Sequence, residues 1–203
     1  MKSSSLTTAV CITFLFCLLH KYSRAQRGEP GNFYVDSGIQ FGRYLGFDFG
    51  ANYLLEDSRY SLIVGASALA TEAHNLPNDY SIGLDGALTF GLASAYERLF
   101  NFRAGMGKLF VLNPKGTFRF HPQAGLGISV IQEPTNFRRK ESAFLTQNYN
   151  YDFHTHTTLS LFINPKFEIL FFRFYGLSIS PLLIINKDQW HYGITINTMI
   201  GRL

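Results

Sequence analysis

Three consecutive stretches decide the fold: YGLSISPLLII (residues 175–185), NKDQ (186–189) and WHYGITINTMIG (190–201). In the first, the odd positions are Tyr175, Leu177, Ile179, Pro181, Leu183 and Ile185. Gly176, Ser178 and Ser180 lie between them. After the four-residue turn the parity resets. Trp190, Tyr192, Ile194, Ile196 and Ile200 fall on one face, and Gly193, Thr195, Asn197 and Gly201 on the other. A strand sends alternate side chains to opposite faces, so this is a hairpin with one greasy face and one of small polar residues. In a soluble sandwich the polar face carries Lys and Glu and meets bulk water. A face of Gly, Ser, Thr and Asn suits a crowded polar interior instead. Strands of about ten residues, apolar outside and small and polar inside, are the signature of a transmembrane β-barrel.

The same alternation recurs toward the N-terminus. Over 157–169, Thr157, Leu159, Leu161, Ile163, Phe167 and Ile169 oppose Ser160, Asn164, Lys166 and Glu168. The longest run opposes Phe118, Phe120, Ala124, Leu126, Ile128 and Val130 to Arg119, His121, Gln123, Gly125, Gly127 and Ser129. Further strands are predicted over 100–107, 80–91, 60–68 and 44–55. The segment 33–41 alternates weakly and is assigned to a lead-in or to the first half of a bent first strand. That leaves eight strands, with ten as the alternative, since single-chain bacterial barrels have even numbers. With both termini periplasmic, a long polar loop over 132–155 falls outside. The turn Asn113-Pro114-Lys115-Gly116 and one near Phe172 fall inside, and so does a loop over 71–79.

Before the strands comes a targeting segment. Met1-Lys2 is basic, residues 6–19 are almost wholly apolar, and Ser23-Arg24-Ala25 offers a cleavage site after Ala25. The expected organisation is therefore a signal peptide over 1–25, a leader or weak strand over 26–43, and a barrel over 44–203. Both cysteines, Cys11 and Cys17, lie in the signal segment, so no disulfide or thiol chemistry is expected of the mature chain. Phe16 and Val10 precede them, where a lipoprotein needs a small residue. Phe (20), Tyr (11) and Gly (18) are abundant while only 16% of residues are charged, as a lipid-facing sheet requires. A dispersed net charge of +4 makes no nucleic-acid footprint.

The face assigned to the lumen carries Asp48, Asp85, Arg103, Arg119, His121, Lys166 and Glu168. The interior of an eight-stranded barrel is just wide enough for side chains to fill. These charges must then pair, giving a plug of ion pairs, with a narrow polar pore as the functional alternative. In the long loop, Arg138, Arg139 and Lys140 could meet lipopolysaccharide phosphates, and Tyr149 and Tyr151 a partner or glycan. Asp152, His154 and His156 share one strand face but have no second cluster, so no metal and no cofactor is expected. Acyl hydrolysis needs Ser, His and an acid at one level. His121 and Ser129 are too far apart on one strand, and no Gly-x-Ser-x-Gly elbow occurs, so no enzyme activity is expected.

The segment to Ala25, the strands from Leu45 to Leu203, and the runs GMGKLF (105–110) and GLGIS (125–129) together resemble the small outer-membrane β-barrel proteins of Gram-negative bacteria, in the OmpA-type and OmpX-type size range. The chain departs from them at its end, Ile200-Gly201-Arg202-Leu203, where such barrels commonly finish on an aromatic residue. The resemblance implies an all-β antiparallel transmembrane barrel in the bacterial outer membrane. Its partners would be membrane lipid and lipopolysaccharide, the barrel-insertion machinery, and a surface or secretion-complex protein. The expected role is structural or in surface interaction. The alternatives are a small porin-like solute pore, a lipid-modifying enzyme, and a soluble secreted lipocalin-like carrier.

Overall fold

A computed structural model describes residues 32–55, 59–84, 94–140 and 147–203. The strands are β1 (Phe33–Gly42), β2 (Leu45–Leu54), β3 (Tyr60–Glu72), β4 (Tyr96–Lys108), β5 (Phe110–Val111), β6 (Phe118–Arg139), β7 (Tyr149–Phe172), β8 (Tyr175–Asn186) and β9 (Trp190–Gly201). Every pairing is antiparallel between neighbours in sequence, and two pairings close the ring: β1 with β9, and β4 with β6. Strand β5 continues β4 without a change of register, since Gly107 faces Gln123 and Phe110 faces Phe120. Only Leu109 interrupts the line, and its side chain is buried. The wall therefore has eight strands among the described residues.

The count of eight stands, but two of its members differ from the sequence reading. Residues 33–42 are a full wall strand, paired along their length with both β2 and β9. Their alternation reads weakly because Tyr34 points in and Ser37 points out. Conversely, Tyr80–Leu84 are not in a strand, and residues 85–93 lie outside the described set. Because β3 pairs directly with β4 up to Glu72 opposite Tyr96, the described parts of the β3–β4 connection lie at the same end of the barrel as the tip where Arg139 meets Tyr149. The 71–79 segment is thus not on the side of the termini, and it belongs to the longer connections. The Asn113–Gly116 turn, the β7–β8 turn and both described chain ends share the opposite end.

The third correction concerns residues 132–155. They are mostly strand: β6 runs to Arg139 and β7 begins at Tyr149. The last β4–β6 pair is Arg98 with Gln132, and the first β7–β8 pair is Ser160 with Asn186. Beyond those points β6 and β7 continue as a two-stranded ribbon, ending at Arg139 opposite Tyr149. At about 3.3 Å per residue it rises roughly 20 Å above the barrel. Its polar composition reads as a loop, but a ribbon with one face in water carries the same residues.

The outward face is apolar from end to end: Leu126 is 69% exposed, Leu159 78% and Phe102 59%. On β9 the outward row runs from Trp190 to Ile200. At about 3.3 Å per residue and a tilt near 40°, that row is roughly 25 Å tall, the height of a lipid-facing band. Aromatic residues gather at its limits, Trp190 and Tyr192 at the loop end and Phe110, Phe118, Phe172 and Phe174 at the end of the termini. No helix among the described residues is long and apolar enough to cross a membrane. Pro165 and Pro181 sit where the β7–β8 ladder is interrupted, between the Ile163–Leu183 and Phe167–Ile179 pairs. Each lacks an N–H, so the break falls where a ladder bond was already lost.

Candidate functional site

The interior is built from the inward positions of all eight wall strands, and it is layered. Nearest the termini, Tyr34, Leu54, Leu109 and Met199 form an apolar cluster, with Leu170 and Leu203 against it. At the loop end, Tyr44, Leu69, Leu99 and Ile131 form a second. Between them the lining is polar apart from Ile63 on β3 and Phe162, Leu182 and Ile184 on one wall.

Three charge pairs fill the space between the clusters. Next to the terminal cluster, Arg119 Nε donates to Glu168 Oε2 at 3.0 Å. The Tyr34 hydroxyl donates to Glu168 Oε1 at 2.5 Å, and His121 Nδ1 lies 3.0 Å from the same oxygen. One level up, Lys166 Nζ meets Asp36 Oδ2 at 2.8 Å. Asn52 Nδ2 donates to that oxygen at 2.6 Å, and Gln123 Nε2 donates to Asn52 Oδ1 at 2.9 Å. Higher still, Arg103 NH2 donates to both Asp48 oxygens at 2.7 and 2.9 Å, with Ser67 bridging at 2.5 Å to Arg103 NH1 and 2.7 Å to Asp48. An unpaired ion in a low-dielectric interior costs several kcal/mol, and each of these has its counter-ion and further hydrogen bonds.

Glycines make room for these groups. A Cβ on Gly107 would lie 2.7 Å from His121 Nε2 and 2.8 Å from Ser61 Oγ. One on Gly105 or on Gly125 would come within 2.8 Å of the Phe162 ring. The glycine-rich runs 105–110 and 125–129 therefore record side chains of neighbouring strands lying close over the β4 and β6 backbone.

Of the residues singled out from sequence, Asp48, Arg103, Arg119, His121, Lys166 and Glu168 are all buried in this interior. Asp85 lies outside the described residues. Two acids were missed. Asp36 sits on β1, whose strand character was discounted. Glu97 opens β4, where its carboxylate takes the Tyr44 hydroxyl and Gln189 Nε2. Its alternation with Leu99 and Asn101 was the available signal.

One constellation emerges only in three dimensions. Ser61 Oγ is 2.6 Å from His121 Nε2, and His121 Nδ1 is 3.0 Å from Glu168. The order of groups is that of a serine hydrolase relay. Ser129, the serine on the same strand as His121, instead accepts from Asn101 Nδ2 at 3.0 Å. Here Nδ1–H donates to the carboxylate and Nε2 accepts the serine proton, so all three groups are satisfied. Yet Ser61 and His121 are both 0% exposed, beneath the terminal apolar cluster. The strand backbone around them is committed to ladder bonds, so no donor pair is free to hold an oxyanion. The cluster ties β3, β6 and β7 together over the β4 backbone at Gly107.

The second region is the ribbon. Its outward side carries Phe137, Tyr149, Tyr151 and Phe153 in mutual ring contact. The β3–β4 connection packs on it. Tyr80 makes an edge contact with Phe137, and Asn148 Nδ2 donates to the Asp79 carbonyl at 2.6 Å. Tyr149 donates to the Asp79 carboxylate at 2.6 Å, and Arg139 lies 3.6 Å from it. The hydroxyl bond holds the Asp79 carboxyl below its ordinary range and raises the Tyr149 phenol. Arg98 lies over the Phe153 ring at 5.0 Å. Arg138 is exposed on the ribbon, and Lys140 follows it into the loop. In the Asp152, His154, His156 run, His156 faces Asp188 at 3.3 Å and the two histidine rings lie 5.8 Å apart. Among the described residues no group of three metal-ligating side chains converges.

No family model and no curated protein matches the chain. Solved structures do. Neisserial surface protein A aligns with a TM-score of 0.53 at 10% identity, over 84% of this chain and 97% of that one. The N-terminal β-barrel domain of Pseudomonas aeruginosa OprF aligns with a TM-score of 0.50 at 11% identity, over 85% and 99%. The attachment invasion locus protein Ail of Yersinia pestis falls just below these, with a TM-score of 0.48 at 10% identity over 86% and 100%. The fold is that of the small outer-membrane β-barrel proteins.

Proposed function

We propose that this protein is an integral barrel of the bacterial outer membrane. In this reading its interior is closed to solutes and its β6–β7 ribbon is a surface contact element. One observation carries it: an apolar band surrounds a polar interior in which Asp36, Asp48 and Glu168 are paired with Lys166, Arg103 and Arg119, with an apolar cluster at each end. The band has to be covered by lipid, since exposed apolar patches of this extent do not survive in water. This polarity also opposes a lipocalin-like carrier, which keeps its apolar face inward. The signal segment over 1–25 and insertion by the barrel-assembly machinery belong to the same reading.

The pairing favours a rigid plug over a pore. A conducting path would need mobile counter-ions and continuous water, but Asp48–Arg103, Asp36–Lys166 and Glu168–Arg119 consume each other's charge. Enzyme activity is disfavoured because the one relay-like cluster has no route for substrate. The role that remains is support and contact, with Arg138, Arg139 and Lys140 as the groups for lipopolysaccharide phosphates and Tyr149 and Tyr151 on the adjoining aromatic face.

Cell fractionation with boiled and unboiled gel mobility tests the membrane reading. An outer-membrane fraction whose mobility shifts on boiling is expected, and a folded monomer extracted into plain buffer would overturn it. Planar bilayers test closure: reproducible unitary currents would replace the plug with a pore.

A further inference from the structure

Two prolines face each other in the wall, Pro165 on β7 and Pro181 on β8. The β7–β8 register is the same on both sides of them, Ile163 with Leu183 and Phe167 with Ile179, yet the three pairs between are missing. Parity explains the gap. In an antiparallel ladder every second opposed pair exchanges two N–H···O=C bonds. The lost pairs are 164 with 182, 165 with 181 and 166 with 180. The middle one is therefore the exchanging pair, and neither of its members has an N–H. Both of its bonds are lost together.

The other interruption of the wall is milder. Pro122 on β6 stands opposite Lys108, by the register of Gly107 with Gln123 and Phe110 with Phe120. Only one N–H is lost there, because Lys108 keeps its own. The β1–β2, β2–β3, β3–β4, β8–β9 and β9–β1 ladders run without a gap. The seam at Pro165 and Pro181 is also placed where a missing bond matters most. Pro181 lies near the middle of β8, which runs from Tyr175 to Asn186, and hydrocarbon offers no water to replace a ladder bond. From residue 163 to residue 167 the seam runs about 13 Å at roughly 3.3 Å per residue. Over that length the two strands can part without breaking a bond.

Apolar surface lies on both sides of this seam. Outward are Ile163, Phe167 and Ile179, all exposed in the band. Inward, on the loop-end side of the prolines, are Phe162, Leu182 and Ile184, which form their own buried cluster in a mostly polar lining. Phe162 is paired with Ile184. Its ring lies over Gly105 and Gly125, where an added Cβ would come within 2.8 Å of it.

We propose that the β7–β8 seam at Pro165 and Pro181 admits the tail of one acyl chain from the surrounding lipid, which ends against Phe162, Leu182 and Ile184. The position of the cluster sets which leaflet supplies it. It lies on the loop-end side of the seam, so the tail points toward the loop end, as the chains of the leaflet around the termini do. The occupant is a phospholipid of that leaflet. Its tail ends on the loop-end side of the Lys166–Asp36 pair, away from Ser61 and His121. Nothing polar crosses with it, so the interior stays closed to ions. The inference rests on the reading of the chain as a membrane barrel.

Photo-cross-linking tests it. The folded chain is placed in phosphatidylcholine–phosphatidylglycerol vesicles with a phospholipid that carries a diazirine at the end of one acyl chain. After photolysis the labelled residues are read by mass spectrometry. Labelling of Phe162, Leu182 or Ile184 is expected to exceed that of inward Ile63 and Leu99, whose ladders are complete, at least fivefold. Pro165→Val with Pro181→Ile restores both N–H groups. It is expected to lower the inward labelling at least fivefold and to leave outward Leu161 and Ile179 labelled as before. Pro181→Ile alone restores one bond and is expected to lower it by less, which keeps the test open if the double variant does not fold. Labels confined to outward residues, inward labels no higher than at Ile63 and Leu99, labelling indifferent to these substitutions, or an equal fall with Pro122→Val would each overturn the proposal. Boiled and unboiled mobility on the same samples separates the two failures. A folded barrel labelled only on its outward face ends the seam proposal alone. Loss of the mobility shift in the unsubstituted chain, with no outward labels, ends the barrel reading beneath it.

Discussion

Strands β6 and β7 form one hairpin under two regimes. Below Gln132 and Ser160 they are wall strands, with one face in the apolar band and the other in a dry interior. There Arg119, His121, Lys166 and Glu168 are all fixed by partners. Above that level one face of the same two strands carries packed rings and the other meets water. Asp152, His154 and Arg138 are exposed there, and the contacts are rings and single hydrogen bonds. The alternation continues through both regimes, so pattern alone does not mark the boundary. What changes is the cost of losing a partner. Inside, an orphaned charge has no water to turn to; outside, it is solvated at once.

The sharpest way to break this contrast is Glu168→Ala. It orphans Arg119 and His121 together, and the expected loss is about 3–5 kcal/mol. Asp152→Ala on the ribbon should change stability by less than about 0.5 kcal/mol. Urea unfolding followed by gel mobility reads both, and equal midpoints would abolish the distinction. Next, Arg103→Met alone leaves Asp48 buried without its ion and should cost about 3 kcal/mol, while adding Asp48→Leu should recover most of that loss. A double variant no better than the single would mean that the pair contributes by shape alone.

Smaller in size, Gly107→Ala forces a methyl to within 2.7 Å of His121. About 1–3 kcal/mol of overpacking is expected, seen as a lower temperature for the mobility shift. Shortening the ribbon to a tight turn that joins Gln132 to Thr157 should leave that temperature nearly unchanged while abolishing any surface contact. A collapse of the barrel on this deletion would show the ribbon to be structural. The subtlest test is Tyr149→Phe. Asp79 is held below the ordinary carboxylate range in the folded state, so its contribution is present above the unfolded value and fades as pH falls through the folded one. Without the phenol, an NMR titration of Asp79 should move back up toward the ordinary value.

Much of the barrel was legible because a strand writes its two faces into alternate letters. The closing hairpin, the 118–130 run and the inward Arg119, His121, Lys166 and Glu168 could all be read in this way. Three things could not. Strand β1 was discounted because its inward row, Tyr34, Asp36 and Gln40, mixes an aromatic with polar groups and blurs the contrast. Residues 80–84 imitate a strand in composition, since exposed Ile82 and Leu84 alternate with Ser81 and Gly83 in a connection that pairs with no wall. The ribbon reads as a loop because Asn148, Asn150, Asp152 and His154 give it a polar composition that hides the alternating Tyr149, Tyr151 and Phe153.

The sequence by itself determined the class of fold and which residues point inward, because both follow from local parity and from the solvents on the two sides of one sheet. Only the tertiary structure decided who meets whom inside the barrel. Ser61, His121 and Glu168 come from three strands, and Asp36 and Lys166 from opposite ends of the chain. Those partnerships depend on the closure and stagger of the ring, which fix the level of each inward residue. No local pattern along the chain encodes that level.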